Sequence, residues 1–80
     1  MLLSELPQGV PARVDAVQDT KDNDAISQRL RDLGFVPGET VRVVARGPWG
    51  GEPLAVKIGS TRFALRRSEA GRVIVDEALA

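Results

Sequence analysis

Turn-forming residues divide this sequence into short segments, and that division most restricts its fold. Eight glycines and five prolines separate stretches in which apolar and polar residues alternate, a pattern typical of half-buried β-strands. Short alternating strands joined by tight turns predict a small, mainly β architecture. A chain of 80 residues suffices for one domain. We therefore expect residues 1–80 to form a single domain, with residues 77–80 as a frayed tail.

Five segments carry the strand pattern and are expected to pair as antiparallel neighbours. They are residues 10–16, 41–46, 54–58, 61–66 and 73–75. The first is expected to place Val10, Ala12, Val14 and Ala16 on one face. The second is expected to place Val41, Val43 and Ala45 on one face, and Arg42, Val44 and Arg46 on the other. Residues 47–53 are predicted to be a loop, and Gly59-Ser60 a hairpin turn of type II′.

One amphipathic helix is predicted between the first and second strands. Its apolar stripe has the spacing i, i+4, i+7 and consists of Ile26, Leu30 and Leu33. Asn23 or Asp24 can cap its start, whereas Gly34 can end it, with Phe35 folding back on Leu30. An OB-fold normally has its helix between strands three and four. A helix after strand one therefore favours a small, partly open SH3-like barrel of about five antiparallel strands.

Composition excludes most kinds of chemistry. The chain has no cysteine and no histidine, so thiolate metal sites, iron–sulfur clusters and an imidazole base are excluded. We therefore do not expect an enzyme. No glycine pattern matches a phosphate-binding loop, so no bound nucleotide is expected. No apolar run approaches the ~20 residues that span a bilayer, and the first residues lack a basic region, so we expect a cytoplasmic protein.

Three aspartates before the helix are the candidate metal ligands. Asp19, Asp22 and Asp24 carry hard oxygen donors that could hold a divalent cation weakly. Their spacing matches no calcium-binding loop, so helix capping is the favoured interpretation.

The charges are unevenly distributed although they cancel. Residues 1–40 carry four basic and seven acidic groups, whereas residues 41–80 carry seven and four. The strand region contributes Arg42, Arg46, Lys57, Arg62, Arg66 and Arg67. They indicate either a docking surface for an acidic protein or a phosphate backbone, or an ordinary solvated sheet face. A pI of 6.2 and the lack of interleaved aromatic residues disfavour nucleic acid.

Trp49 lies in a loop rich in glycine and proline. It can anchor a protein partner or fold over the open end of the barrel. Both interpretations remain open at the level of sequence. Phe35 is expected in the core because of its role at the helix end.

Several segments resemble the signature of the ferrous iron transport protein A family, FeoA. Residues 30–38 read Leu-Arg-Asp-Leu-Gly-Phe-Val-Pro-Gly and are followed by Val41-Arg42-Val43. Further similar pieces are Gly51-Glu52-Pro53-Leu54, Gly59, Ala64-Leu65-Arg66, Glu69-Ala70, and Ile74 with Asp76. The resemblance extends from about residue 3 to residue 76.

This resemblance implies an SH3-like barrel similar to one found in iron-dependent repressors. It also implies a cytosolic accessory protein that contacts FeoB, the membrane ferrous iron transporter, whose cytoplasmic part carries a GTPase domain. No cofactor is required, and iron or zinc would be held weakly, by carboxylates. Within this hypothesis the partner surface includes Leu33, Phe35, Arg42, Arg46, Trp49, Gly50 and Gly51, and charge reversal at Arg42 or Arg46 should leave folding intact. The alternative is a stand-alone barrel that responds to metal or binds nucleic acid.

Overall fold

The computed structural model describes residues 1–77, which build one five-stranded antiparallel sheet with a helix after its first strand. The strands are β1 (Pro11–Val17), β2 (Thr40–Gly47), β3 (Gly51–Ile58), β4 (Thr61–Leu65) and β5 (Val73–Asp76). The helices are α1 (Ala25–Leu33) and the single turn α2 (Arg67–Ala70). The order across the sheet is β4-β3-β2-β1-β5. The predicted fold class is confirmed, whereas the prediction of a frayed tail falls mostly on residues 78–80, outside the described residues.

Local sequence sets both ends of α1, as predicted. Asp24 caps the helix, because its side chain accepts hydrogen bonds from the backbone N–H groups of Ile26 and Ser27. Gly34 has a φ of +113°, a left-handed conformation that glycine adopts without a steric penalty. The Phe35 N–H donates to the Leu30 carbonyl oxygen at 3.1 Å. This is the long-range bond of a Schellman motif.

The core lies between the concave side of the sheet and the inner faces of α1 and the N-terminal 3₁₀ turn, Leu3–Glu5. Phe35 is completely buried, and its ring centroid lies 6.2 Å from that of Phe63. Burying one such aromatic side chain contributes about 2 kcal/mol. The residue after the helix therefore joins α1 to β4 through the core, as expected from its place in the sequence.

Two β-bulges break the alternation that the sequence predicts. In β1 the register against β5 shifts between Val14 and Ala16, so Val17 is buried and Ala16 is only half-buried. In β2 the register against β3 shifts between Val43 and Ala45, so Ala45 is exposed. The expected faces of Ala16 and Ala45 are therefore wrong, because each bulge inserts one extra residue and reverses the pattern beyond it.

The predicted loop at residues 47–53 is shorter in the structure. β2 continues to Gly47 and β3 begins at Gly51, and these two residues are paired. The connection is therefore reduced to Pro48, Trp49 and Gly50. At the other end of β3, Gly59 has a φ of +57°, as the predicted type II′ turn requires.

Candidate functional site

Trp49 lies at the tip of the β2–β3 hairpin and points into solvent. Trp49 is 76% exposed and does not belong to the core, which other side chains form. The backbone N–H of Trp49 donates to the Glu52 carbonyl oxygen at 3.4 Å, and the backbone N–H of Glu52 donates to the Trp49 carbonyl oxygen at 3.1 Å. Of the two interpretations left open by the sequence, the structure shows the exposed one.

Arg67 fixes the hairpin tip from the side. Its guanidinium donates to the Gly50 carbonyl oxygen, and its backbone N–H donates to Glu52 Oε1 at 2.5 Å. Gly50 and Gly51 have φ values of +63° and +88°, which the turn requires and which glycine supplies at least cost. The tryptophan is thus presented on a braced turn rather than on a loose loop.

Arg46 differs from its predicted position. It is half-buried, and its guanidinium donates to the Leu6 carbonyl oxygen at 2.8 Å. The bulge between Val43 and Ala45 turns it away from the face that carries Arg42. The expectation that Arg42 and Arg46 share one exposed face is therefore wrong. Arg46 links β2 to the N-terminal segment instead.

Charge reversal at the two arginines should consequently have different effects. Arg46→Glu removes the donor to Leu6 and places a carboxylate near a carbonyl oxygen, so we expect a loss of about 1–3 kcal/mol in the free energy of unfolding. Arg42→Glu changes the same charge on an exposed side chain and should stay within about 0.5 kcal/mol of the unmodified protein. Urea unfolding measures both variants. Equal stabilities would contradict the structural role of Arg46.

Three exposed basic residues form a row across three neighbouring strands, β2, β3 and β4. Arg42 on β2 pairs in register with Lys57 on β3, and Lys57 pairs with Arg62 on β4. We call these three residues the basic row. The sequence includes Lys57 and Arg62 in the set of basic strand residues but does not indicate that they stand beside Arg42. The pairing of Lys57 with Arg62 can be inferred from the sequence, because positions 57 and 62 lie symmetrically about the Gly59-Ser60 turn.

The end of α1 offers little surface to a partner. Leu33 is half-buried and packs against the core, and Phe35 is fully buried. Val36, immediately after them, is 43% exposed. Leu33 and Phe35 therefore support the surface from within, and Val36 is the apolar residue that this segment exposes.

Asp24 is a buried counter-ion in addition to a helix cap. Its side chain is fully buried, and its Oδ2 lies 2.8 Å from Arg72 Nε. The same oxygen accepts hydrogen bonds from the Thr20 N–H and hydroxyl groups at 2.9 and 3.0 Å and from the Ser27 hydroxyl at 3.1 Å. Arg72 first, and then the Thr20 N–H and hydroxyl and the Ser27 N–H, hold the pKa of the Asp24 carboxyl far below its usual range.

The surroundings of the three aspartates do not favour a metal ion. The Asp24 carboxylate is engaged by Arg72 and by hydrogen-bond donors, and Asp19 forms an ion pair with Arg31 at 3.1 Å. Asp22 is exposed. Within residues 1–77 no three histidine, cysteine, aspartate or glutamate side chains are grouped so that they could hold a metal ion. The residues present therefore do not fit a metal centre.

The two helices in the described part of the chain are too short to cross a membrane.

The candidate functional features are the braced Trp49 tip and the basic row. They lie toward opposite ends of the β2–β3 hairpin, because Arg42 is five residues, or about 16 Å of strand, from the end of β2 at Gly47.

Comparisons with known proteins identify the family. The family model for the FeoA domain matches residues 1–77. FeoA from Stenotrophomonas maltophilia, a prokaryotic SH3 domain protein solved in complex with zinc, is 65% identical, with a TM-score of 0.90 over 98% of this chain and 92% of that one. Iron(II) transport protein A from Clostridium thermocellum is 36% identical, with a TM-score of 0.82 over 96% of this chain and 45% of that one.

The same fold occurs in a different functional context. A manganese-dependent transcriptional repressor has a TM-score of 0.77 at 19% identity, over 91% of this chain and 39% of that one, a likeness of fold alone. A comparison with curated protein sequences gives no significant match. The family model and the S. maltophilia and C. thermocellum relatives show that this chain belongs to the FeoA family, whose members are associated with ferrous iron transport.

Proposed function

We propose that this protein is a non-enzymatic, cytoplasmic accessory protein of ferrous iron uptake that binds the cytoplasmic GTPase part of the transporter FeoB. Membership of the FeoA family supports the link to iron uptake, and the S. maltophilia relative is described as a candidate ferrous iron transport activating factor. The observation that carries the binding role is Trp49, exposed on a braced turn.

An exposed tryptophan on a fixed turn is suited to a protein interface. Tryptophan is enriched among the residues that dominate binding energy, because it buries a large apolar area with little loss of side-chain freedom. The bonds from Arg67 to Gly50 and Glu52 order the turn before binding, which reduces the entropy cost of association. Pro53, Glu52 and Arg66 line the concavity beside the indole, so an apolar contact would have a polar rim.

The proposal assigns no reaction to the protein. A chain without histidine and cysteine lacks the usual general base and nucleophile near neutral pH. Two of the three candidate aspartates, Asp19 and Asp24, are used for ion pairing and helix capping, so the proposed function also requires no resident metal. The protein would act by altering the partner through contact.

The test is binding of the full chain to the cytoplasmic part of the cognate FeoB, measured by calorimetry without nucleotide and with GDP or a GTP analogue. Trp49→Ala should weaken binding at least about tenfold and leave the circular dichroism spectrum and melting midpoint unchanged, because the side chain is exposed. Val36→Ala removes another exposed apolar side chain and serves as the matched control. It should bind within about twofold of the unmodified protein.

Two results would count against the proposal in different ways. An absence of binding in every nucleotide state would remove the transporter as the partner. Binding that is unaffected by Trp49→Ala would retain the partner but reject the hairpin tip as the contact.

A further inference from the structure

The basic row is an arrangement that the fold itself does not need. Lys57 lies between Arg42 and Arg62 in register on neighbouring strands, and like charges directly opposite each other destabilise a sheet. Within residues 1–77 none of the three side chains forms an ion pair or a side-chain hydrogen bond. Three cations that form no ion pair within the described residues therefore stand side by side on one sheet face, with the Glu39 carboxylate beside Gly59 at its edge.

The row also has a defined shape. Neighbouring strands lie about 4.8 Å apart, so the three positions span about 10 Å. Thr40, Val44 and Gly59 complete a shallow groove around the row. Because β4 is an edge strand, the groove is open on the side of Arg62. A group that enters from this edge meets the cations in sequence and can also reach the Thr40 hydroxyl.

We propose that the basic row binds an acidic segment of a protein partner, one that presents two or three carboxylates within about 10 Å. The span fits a short segment better than a nucleic-acid strand, which needs a longer basic track and aromatic stacking surfaces. The aromatic residue nearest along the hairpin, Trp49, lies beyond the reach of the row. This surface is separate from the hairpin tip, so the proposal goes beyond the contact of Trp49 with the transporter.

The probe is acetylated hexaglutamate, titrated into the ¹⁵N-labelled full chain at low salt. Shift changes should centre on Arg42, Lys57 and Arg62, and added NaCl at about 0.3 M should weaken binding at least about fivefold, because exposed ion pairs are screened. Lys57→Glu should weaken binding at least about tenfold. Lys21→Glu, the same charge change at an exposed residue outside the sheet, should weaken it by less than about twofold.

A second measurement separates the docking role from general charge. Lys57→Glu replaces two repulsive cross-strand pairs with two attractive ones, so its melting midpoint should rise by about 4 °C while it loses the probe. Three results of the binding titrations would overturn the proposal: shift changes at another surface, equal weakening by Lys57→Glu and Lys21→Glu, or tighter binding of a twelve-residue oligothymidylate than of hexaglutamate. Sedimentation that shows copies of this chain associating through the row would also overturn it.

Discussion

Replacing Arg72 with methionine should lower the melting midpoint of this protein by more than about 10 °C at neutral pH. The guanidinium is the counter-ion of the buried Asp24 carboxylate, and it also donates to the Ser68 carbonyl oxygen and the Thr20 hydroxyl at 2.6 and 3.0 Å. Methionine preserves much of the apolar volume but leaves a buried carboxylate without its cation. Removing one partner of a buried pair is among the most destabilising changes known.

The matched control is Arg29→Met. Arg29 forms an ion pair with Glu69 at 3.5 Å, but its side chain is 67% exposed. Exposed ion pairs contribute about 0–1 kcal/mol, so the control should melt within a few degrees of the unmodified protein. If the two variants melt alike, the Asp24–Arg72 pair is not a major source of stability.

The same pair should make stability dependent on pH. Because the pKa of Asp24 is lowered in the folded state, the stabilising effect is complete above the ordinary aspartate pKa of about 4 and is lost as pH falls below it. Arg72→Met removes the largest cause of the lowered pKa. The difference in unfolding free energy between the two proteins should therefore shrink between pH 7 and pH 3, as measured by urea unfolding. A constant difference would contradict this linkage.

Gly47→Ala should destabilise the protein by about 3 kcal/mol or more. A Cβ atom at position 47 would overlap the Glu52 carbonyl oxygen and lie 2.7 Å from Pro53 Cδ. The obstructing atoms belong to the paired strand β3, so the hairpin end would have to separate. Urea unfolding should show the loss, and binding through Trp49 should fall with it.

Gly50→Ala is the natural control for this substitution. It lies in the same turn, and a Cβ there would meet no atom within 4 Å. Its φ of +63° costs alanine only about 1–2 kcal/mol. If Gly47→Ala is no more destabilising than Gly50→Ala, the close packing of the β2 and β3 ends does not matter to stability.

The parts of the fold that local chemistry determines could be predicted from the sequence. A helix cap at Asn23 or Asp24, the helix end at Gly34 and the turn at Gly59 each depend on a few neighbouring residues, and each is confirmed, with Asp24 as the cap. The two bulges could not be predicted, because a bulge depends on the register in which two strands pair, which the alternation within one strand does not show. The sequence pattern therefore predicts alternation through Ala16 and Ala45, where it no longer holds.

The candidate site shows the same division. Loop composition alone indicates Trp49, whereas the alternation in β2 predicts the wrong face for Arg46, because the bulge precedes it. The pairing of Arg72 with Asp24 joins residues 48 positions apart, and no periodicity in the sequence connects them. The sequence therefore indicates Asp24 only as a helix cap or a metal ligand. Its role as the buried counter-ion of Arg72 is seen only in the folded chain.

The position of β5 has a consequence for how the protein is made. β5 pairs with β1, and the Val75 N–H donates to the Met1 carbonyl oxygen, so the fifth strand in chain order joins the first. On the ribosome, β1 has an open edge and Asp24 lacks its arginine until residues 72–76 have left the exit tunnel. The β2–β4 meander can form earlier, but completion of the sheet must wait for translation to pass these residues.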